Sequence, residues 1–166
     1  IFNTKKGPLF LADTLINHHP DADTLTDIAN LTAKAVRFFN HTPNIAMVCY
    51  SNFGADTEGS PKLVHDAVAK LQAENPDLAV DGEMQINFAL DTKLRDEKYP
   101  FTRLKGKKAN TLIFPNLTSA NSGYKFLQAM AMPGTEMIGP IQMGLNKPIH
   151  FTDIESSVRD IVNITA

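Results

Sequence analysis

A single cysteine excludes an internal disulfide. Its place inside the apolar run Ile45-Ala46-Met47-Val48-Cys49-Tyr50 reads as a buried, inert thiol rather than a nucleophile. Such cysteine usage suits a reducing, cytoplasmic setting. The chain also lacks the roughly 18 consecutive apolar residues that a membrane-spanning helix needs. Charge of one sign is never concentrated. Lys and Arg number 16 against 18 Asp and Glu, the formal net charge is −2, and the pI is near 6.2. The densest basic spot, Lys105-Gly106-Lys107-Lys108, reads as a solvated turn ahead of a strand. Neither nucleic acid nor a membrane surface is therefore an expected partner.

Signature motifs are missing as well. There is no G-x-G-x-x-G, no P-loop and no G-x-S-x-G nucleophile elbow. His18-His19 has no accompanying Cys, Asp or Glu at ligand spacing, and His41, His65 and His150 are isolated, so no metal site is expected. Asn30, Asn40, Asn116 and Asn163 open Asn-x-Ser/Thr triplets, but no secretory layout precedes them and no glycans are assigned. The opening residues, Ile1-Phe2-Asn3-Thr4-Lys5-Lys6, carry neither an initiator methionine nor a signal sequence, which suggests a piece of something longer.

What is present is an ordinary globular composition, 166 residues with 43% hydrophobic and 20% charged side chains, enough for one domain with a real core. Short apolar runs alternate with amphipathic stretches, the pattern of an α/β fold. Leu9 to Ala12 is the first strand candidate. Thr24 with Asp27 three residues later resembles a capping box. Leu25, Ile28, Ala29, Ala35, Val36 and Phe39 then form one stripe on a helix reaching about residue 39. Ile45 to Tyr50 suits a parallel strand buried on both faces. Ser60-Pro61 reads as N-cap and N1 of a helix lined by Leu63, Val64, Ala67, Val68 and Leu71, which Asn75-Pro76 ends. Leu78-Ala79-Val80 is a short strand leading into Asp81-Gly82-Glu83, and Met84 to Leu90 begins another helix. Thr111 to Phe114 is the next strand, and the helix after it carries Tyr124, Phe126, Leu127 and Met130. Met137-Ile138 with Pro140-Ile141, and Ile149-His150-Phe151, are weaker strand candidates. Ser156 or Ser157 opens a final helix.

Ligands bind at the carboxyl ends of strands in such sheets, where loops and helix amino-termini converge. Ser51, Asn52, Asp81, Glu83, Asn116 and Asn121 map to such ends. They serve equally well as turn formers and caps. Asp81 and Glu83 could be an acid/base pair or hydrogen-bonding anchors, and without a partner nucleophile they define no reaction.

Val80-Asp81-Gly82-Glu83-Met84-Gln85 resembles the D-G-E-x-Q signature of the phosphate acetyl/butyryltransferase family. Leu112 to Lys125, Ile138 to Pro148 and Ser157-Val158-Arg159-Asp160-Ile161-Val162-Asn163 resemble further motifs of that family in the right order, and Gly7 to Thr14 resembles the start of the same region. The resemblance implies half of a two-lobed α/β fold with a mostly parallel sheet flanked by helices. Residues 1–150 would form one lobe and 151–166 the start of a closing helical segment returning to the other lobe. It also implies an enzyme that moves an acetyl group between phosphate and the thiol of coenzyme A, in a cleft between lobes, usually as a homodimer.

Tyr50 to Gly54, Tyr99 to Leu104 and Gly144 to His150 resemble the subgroup of this family joined to NADP-dependent malic enzymes. In that setting the NADP and divalent-metal sites belong to a malic enzyme catalytic domain in the same parent chain, and none falls on residues here. Where the family carries D-L-S-R-G, this chain has Phe151-Thr152-Asp153-Ile154-Glu155. Asp153 takes the place of the family's serine and Ile154 that of its arginine, while the aspartate proposed as base for the thiol is kept as Asp160. A carboxylate about 4 Å from an anionic phosphate repels it by about 4 kcal/mol at an effective dielectric near 20. Losing the arginine's forked donor removes charge neutralisation as well. The expectation is a non-catalytic regulatory and oligomerisation module whose cleft still receives acetyl-CoA or coenzyme A. Ser51, Asn52, Asn116, Asn121 and Lys147 are its candidate ligand contacts, and Asp81, Glu83 and Gln85 its loop organisers. An active acetyltransferase and a ligand-free dimerisation domain are the alternatives.

Overall fold

The computed structural model describes residues 1–130, 135–152, 154 and 156–165. Its centre is a six-stranded sheet in the order β4-β3-β5-β2-β1-β6. The strands are β1 (Phe2–Thr4), β2 (Gly7–Ala12), β3 (Asn44–Val48), β4 (Ala79–Met84), β5 (Thr111–Ile113) and β6 (Glu136–Met137). β4, β3, β5 and β2 run parallel, whereas β1 is antiparallel to both β2 and β6. The fold is therefore α/β with a mostly parallel sheet.

Alternation along β3 shows why its residues 45–48 are all apolar. Ile45 and Met47 pack on one face with Leu25, Ile28 and Ala29 of α1 (Ala22–Phe38) and Val64, Ala67 and Leu71 of α2 (Gly59–Glu74). Ala46 and Val48 point to the other face, towards Met84, Ala89, Leu104, Leu112 and Ala120. A strand covered on both sides favours apolar residues on both of its faces. Ala89 belongs to α3 (Ile86–Leu90) and Ala120 to α5 (Leu117–Met130), with α4 (Thr92–Lys98) following α3.

Several local signals resolve differently from their sequence reading. The cap of α1 is Asp21, whose carboxylate accepts from Thr24 N–H at 2.8 Å, so Thr24 is a donor within the first turn and not the cap. α2 starts one residue before Ser60. Its cap position is Glu58, which makes no side-chain capping bond, because Ser60 already lies in the helix. The α1 stripe buries Ala33 where Ala35 was expected. α4 carries too few apolar residues to stand out by periodicity. At the far edge, Ile149–Phe151 forms no strand, and only an isolated antiparallel bridge joins Ile141 to His150. The last helix, α6 (Val158–Thr165), follows Ser157.

β4 ends the sheet, yet all six of its residues are buried. Its fourth residue, Gly82, has φ +150°, and a Cβ there would lie 2.4 Å from the Met47 carbonyl oxygen. Only glycine fits that approach of two backbones.

Candidate functional site

The carboxyl ends of β3, β4 and β5 carry the polar residues singled out by sequence, and the structure commits most of them to one another. Asp81 is buried. It accepts from the Thr102 hydroxyl at 2.6 Å, from Arg103 N–H at 2.7 Å and from Gly82 N–H at 3.0 Å. These bonds tie the segment after α4 to the sheet edge. Glu83 is fully buried, and its Oε1 accepts from Gly54 N–H while its backbone carbonyl accepts from Phe53 N–H at 2.8 Å. Gln85 donates its backbone N–H to Asn52 Oδ1 at 2.8 Å and its side-chain amide to the Tyr50 carbonyl at 2.7 Å. Ser51 is buried and accepts from Asp56 N–H at 3.0 Å. The loop between β3 and α2 is thus hung from Glu83 at the end of β4 and from Gln85 just after it.

Asn116 immediately precedes α5 and Asn121 lies within it. Asn116 Oδ1 accepts from Ser119 N–H at 2.9 Å, the geometry of a helix cap. Asn121 donates to the Thr14 carbonyl at 3.2 Å and so joins α5 to the loop after β2. Lys147 is exposed in the segment between Ile141 and His150, which an isolated antiparallel bridge joins.

That loop after β2 is organised by Asp13. Its carboxylate accepts from the backbone N–H groups of Leu15 at 2.9 Å, Ile16 at 3.1 Å and Asn17 at 2.8 Å, and from the Asn17 amide at 2.6 Å. Partial burial pushes its pKa up, but the four donated bonds outweigh burial and hold it below the ordinary carboxylate value. Asp13 borders a cleft of about 170 Å³ between α1 and residues 138–143, whose apolar wall includes Ile28, Leu31, Phe39 and Ile141.

A second cleft, about 150 Å³, lies beside α6. Tyr124, Gln128, Phe151, Thr152, Ser156 and Asp160 contribute to its wall, and among the described residues that line it there is no lysine or arginine. Asp160 is bound to the helix start: its carboxylate accepts from Ser157 N–H at 2.8 Å and from the Ser157 hydroxyl at 2.7 Å. These bonds, with a smaller contribution from the neighbouring Arg159, hold its pKa below the ordinary value. Arg159 itself pairs with Glu136. Ile154 is fully exposed. Asp153 lies outside the described residues.

One organising residue escaped sequence reading. Arg95 is completely buried, with its guanidinium donating to the carbonyls of Leu104 at 2.6 Å and Lys107 at 2.7 Å and to Asp96 at 3.1 Å. It sits in the charged stretch Lys93-Leu94-Arg95-Asp96-Glu97-Lys98, which looks like a solvated helix, and nothing local to it signals burial. Among the described residues no group of three or more His, Cys, Asp or Glu could hold a metal, and no helix is long and apolar enough to cross a membrane.

A mostly parallel sheet with helices on both faces and polar loops gathered at its strand ends defines an α/β domain. Residues 1–166 match the phosphate acetyl/butaryl transferase family, and the chain belongs to that family. It is 36% identical over 160 residues to the NADP-dependent malic enzyme of Salmonella typhimurium, covering 96% of this chain and 21% of that protein. It is 38% identical over 163 residues to the phosphate acetyltransferase of Clostridium acetobutylicum, covering 98% of this chain and 48% of that protein. The crystal structure of a phosphotransacetylase from Streptococcus pyogenes superposes with a TM-score of 0.89 at 36% identity, over 99% of this chain and 50% of that one. The chain thus spans about a fifth of its malic enzyme relatives and about half of its acetyltransferase relatives.

Proposed function

We propose that this chain is the phosphotransacetylase-like module of a malic enzyme, that it receives acetyl-CoA, and that it does not transfer the acetyl group. The observation that carries this reading is the cleft beside α6, where Asp160 meets no lysine or arginine among the described lining residues. An acetyl phosphate carries negative charge, and transfer chemistry relies on preorganised donors and cations aimed at it. Here the group nearest to such a substrate would be an anion. The position that the family resemblance assigns to arginine is Ile154, which points into solvent.

The remaining family-type residue is also poorly suited to act as a base. Asp160 spends its carboxylate on Ser157, and those bonds favour its charged form, which weakens it as a proton acceptor. What the cleft keeps is an aromatic and polar wall, Tyr124, Phe151 and Gln128, able to receive a ligand without activating it. In a malic enzyme such binding would report on acetyl-CoA supply and act on the dehydrogenase module through the assembly. A coupling of about 1–3 kcal/mol suffices for regulation of that kind. A homodimer or higher homo-oligomer would be the unit that transmits it.

The second reading is a working acetyltransferase, which the 38% identity to the Clostridium acetobutylicum enzyme favours. One experiment separates the two. A chain carrying both lobes is assayed for acetyl-CoA formation from acetyl phosphate and coenzyme A, beside calorimetric titration with acetyl-CoA. Binding without transfer is expected. Transfer well above background would overturn the proposal, and absence of both would leave a scaffold and refute the ligand role.

A further inference from the structure

Charge that is dispersed along the sequence is gathered by the fold. Residues 1–12, 28–55 and 98–120 hold nine Lys and Arg and no Asp or Glu, against seven and eighteen in the rest of the chain. β3, β5 and β2 are neighbours in the sheet and run parallel, so the turns that lead into them share one edge, opposite the carboxyl ends described above. Those turns are bonded to each other. Lys108 Nζ donates to the Lys6 carbonyl at 2.6 Å, the Asn44 amide to the Lys108 carbonyl at 3.1 Å, and the Asn110 amide to the Thr42 carbonyl at 2.9 Å. Arg37, in the last turn of α1, immediately precedes one of these turns. Lys5, Lys6, Arg37, Lys105, Lys107 and Lys108 are thereby brought to one end of the molecule, all of them exposed.

We propose that this edge is a docking surface for a partner protein that presents a short acidic segment. Among the described residues, Lys5, Lys6, Arg37, Lys105 and Lys107 have no carboxylate partner. Glu136, opposite Asn3 in the sheet, is paired with Arg159, and Asp96 with Arg95. A field of one sign is therefore left uncompensated and draws opposite charge. The turns are also fixed in place. Arg95 holds the carbonyls of Leu104 and Lys107, and Asp96 takes Gly106 N–H at 2.6 Å. Binding then has little backbone left to order. Phe38, 80% exposed, follows Arg37 and packs edge-on against Phe39 at 5.4 Å, which in turn rests on Phe10 of β2. An exposed aromatic ring beside an arginine is the composition of a protein–protein contact.

Charge complementarity favours that occupant over two others. A second copy of this chain offers few free carboxylates, because many already accept bonds within it, as Asp13, Asp21, Asp81 and Asp160 do. A nucleic acid strand or an anionic membrane would extend past the edge onto the rest of the chain, where acids outnumber cations by eighteen to seven, and would be repelled there. A short acidic segment stays on the basic edge. Three adjacent strands span about 10 Å at their usual spacing, so an extended segment of about six residues, roughly 20 Å long, covers the edge and its flanking lysines.

Fluorescence anisotropy on the full chain tests it, with a fluorescein-labelled peptide of about eight residues, Glu alternating with Leu, as the probe. Wild type should bind the peptide, and binding should weaken as salt rises. Lys6→Glu combined with Lys107→Glu should weaken it about ten-fold or more, and Phe38→Ser about three-fold with the salt dependence unchanged. Lys62→Glu combined with Lys70→Glu makes the same change of net charge on α2 and should shift affinity by no more than about two-fold. Thermal melting of each variant confirms that it is folded, as expected for side chains this accessible to solvent. No binding by wild type, or an equal loss in the α2 variant and the edge variant, would overturn the proposal. Tighter binding of a single-stranded oligonucleotide or of phosphatidylserine vesicles than of the peptide would also overturn it. So would self-association in sedimentation that the edge variant abolishes, since the edge would then belong to a second copy.

Discussion

Asp160 and Ser157 satisfy each other across the first turn of α6: the carboxylate takes the Ser157 N–H and hydroxyl, and the Asp160 N–H returns a bond to Ser157 Oγ at 3.2 Å. This is the reciprocal arrangement of a capping box, with Asp in the place usually held by Glu or Gln. The residue that family resemblance marks as a base for the thiol therefore has a structural task in this chain. Asp160→Asn should lower the melting temperature and fray α6. Its folded pKa is depressed, so its contribution is present above the unfolded value and is lost as pH falls through the folded one. The difference in melting temperature between wild type and Asp160→Asn should accordingly shrink below about pH 4.

Gly82→Ala tests the close approach of β3 and β4. The added methyl would meet the Met47 carbonyl at 2.4 Å in a backbone conformation that side chains rarely adopt. A loss of about 2–4 kcal/mol in denaturant unfolding is expected. A neutral result would mean that the two strands can separate without cost.

Removing the buried guanidinium should be among the most damaging single changes. Arg95→Ala leaves the carbonyls of Leu104 and Lys107 without their donor and Asp96 without its cation. About 3–5 kcal/mol is the scale for breaking such an arrangement. Arg95→Lys should recover little of it, because one ammonium cannot span the carbonyls that the planar fork reaches together. Equilibrium unfolding of both variants reads the outcome.

Asp13 gives a second acid-sensitive site. Burial raises its pKa, the bonds from Leu15, Asn17 and Ile16 outweigh that and lower it, and the net depression means stability that fades as pH drops from about 4 through the folded value. Wild type should lose more stability than Asp13→Asn between about pH 5 and pH 2.5. A carbon-detected NMR titration of the Asp13 carboxyl should give a midpoint below that of an unstructured aspartate.

Much of the fold was legible because it rests on local periodicity. The β3 run, the α1 and α2 stripes and the alternation of strand with helix all follow from which faces must avoid water. Cap positions were less legible. Thr24 and Asp21 are both good capping residues three apart, and only the backbone path decides which of them accepts and which donates. The strand-end residues Ser51, Asn52, Asp81, Glu83 and Gln85 could be placed at loops, but their partners could not be named, since Asp81 reaches 21 residues ahead to Thr102 and Glu83 reaches 29 back to Gly54.

The sequence alone determined the α/β class, the apolar faces and the family motifs, because these depend on residue type at short, regular spacing. Only the tertiary structure decided that Arg95 is buried, that Asp160 caps α6, and that one oxygen of Glu83 is taken by Gly54 N–H. Each depends on a polar group's distance from partners brought near by packing, and the free energy of a buried polar atom is set by that neighbourhood rather than by the residue's own chemistry.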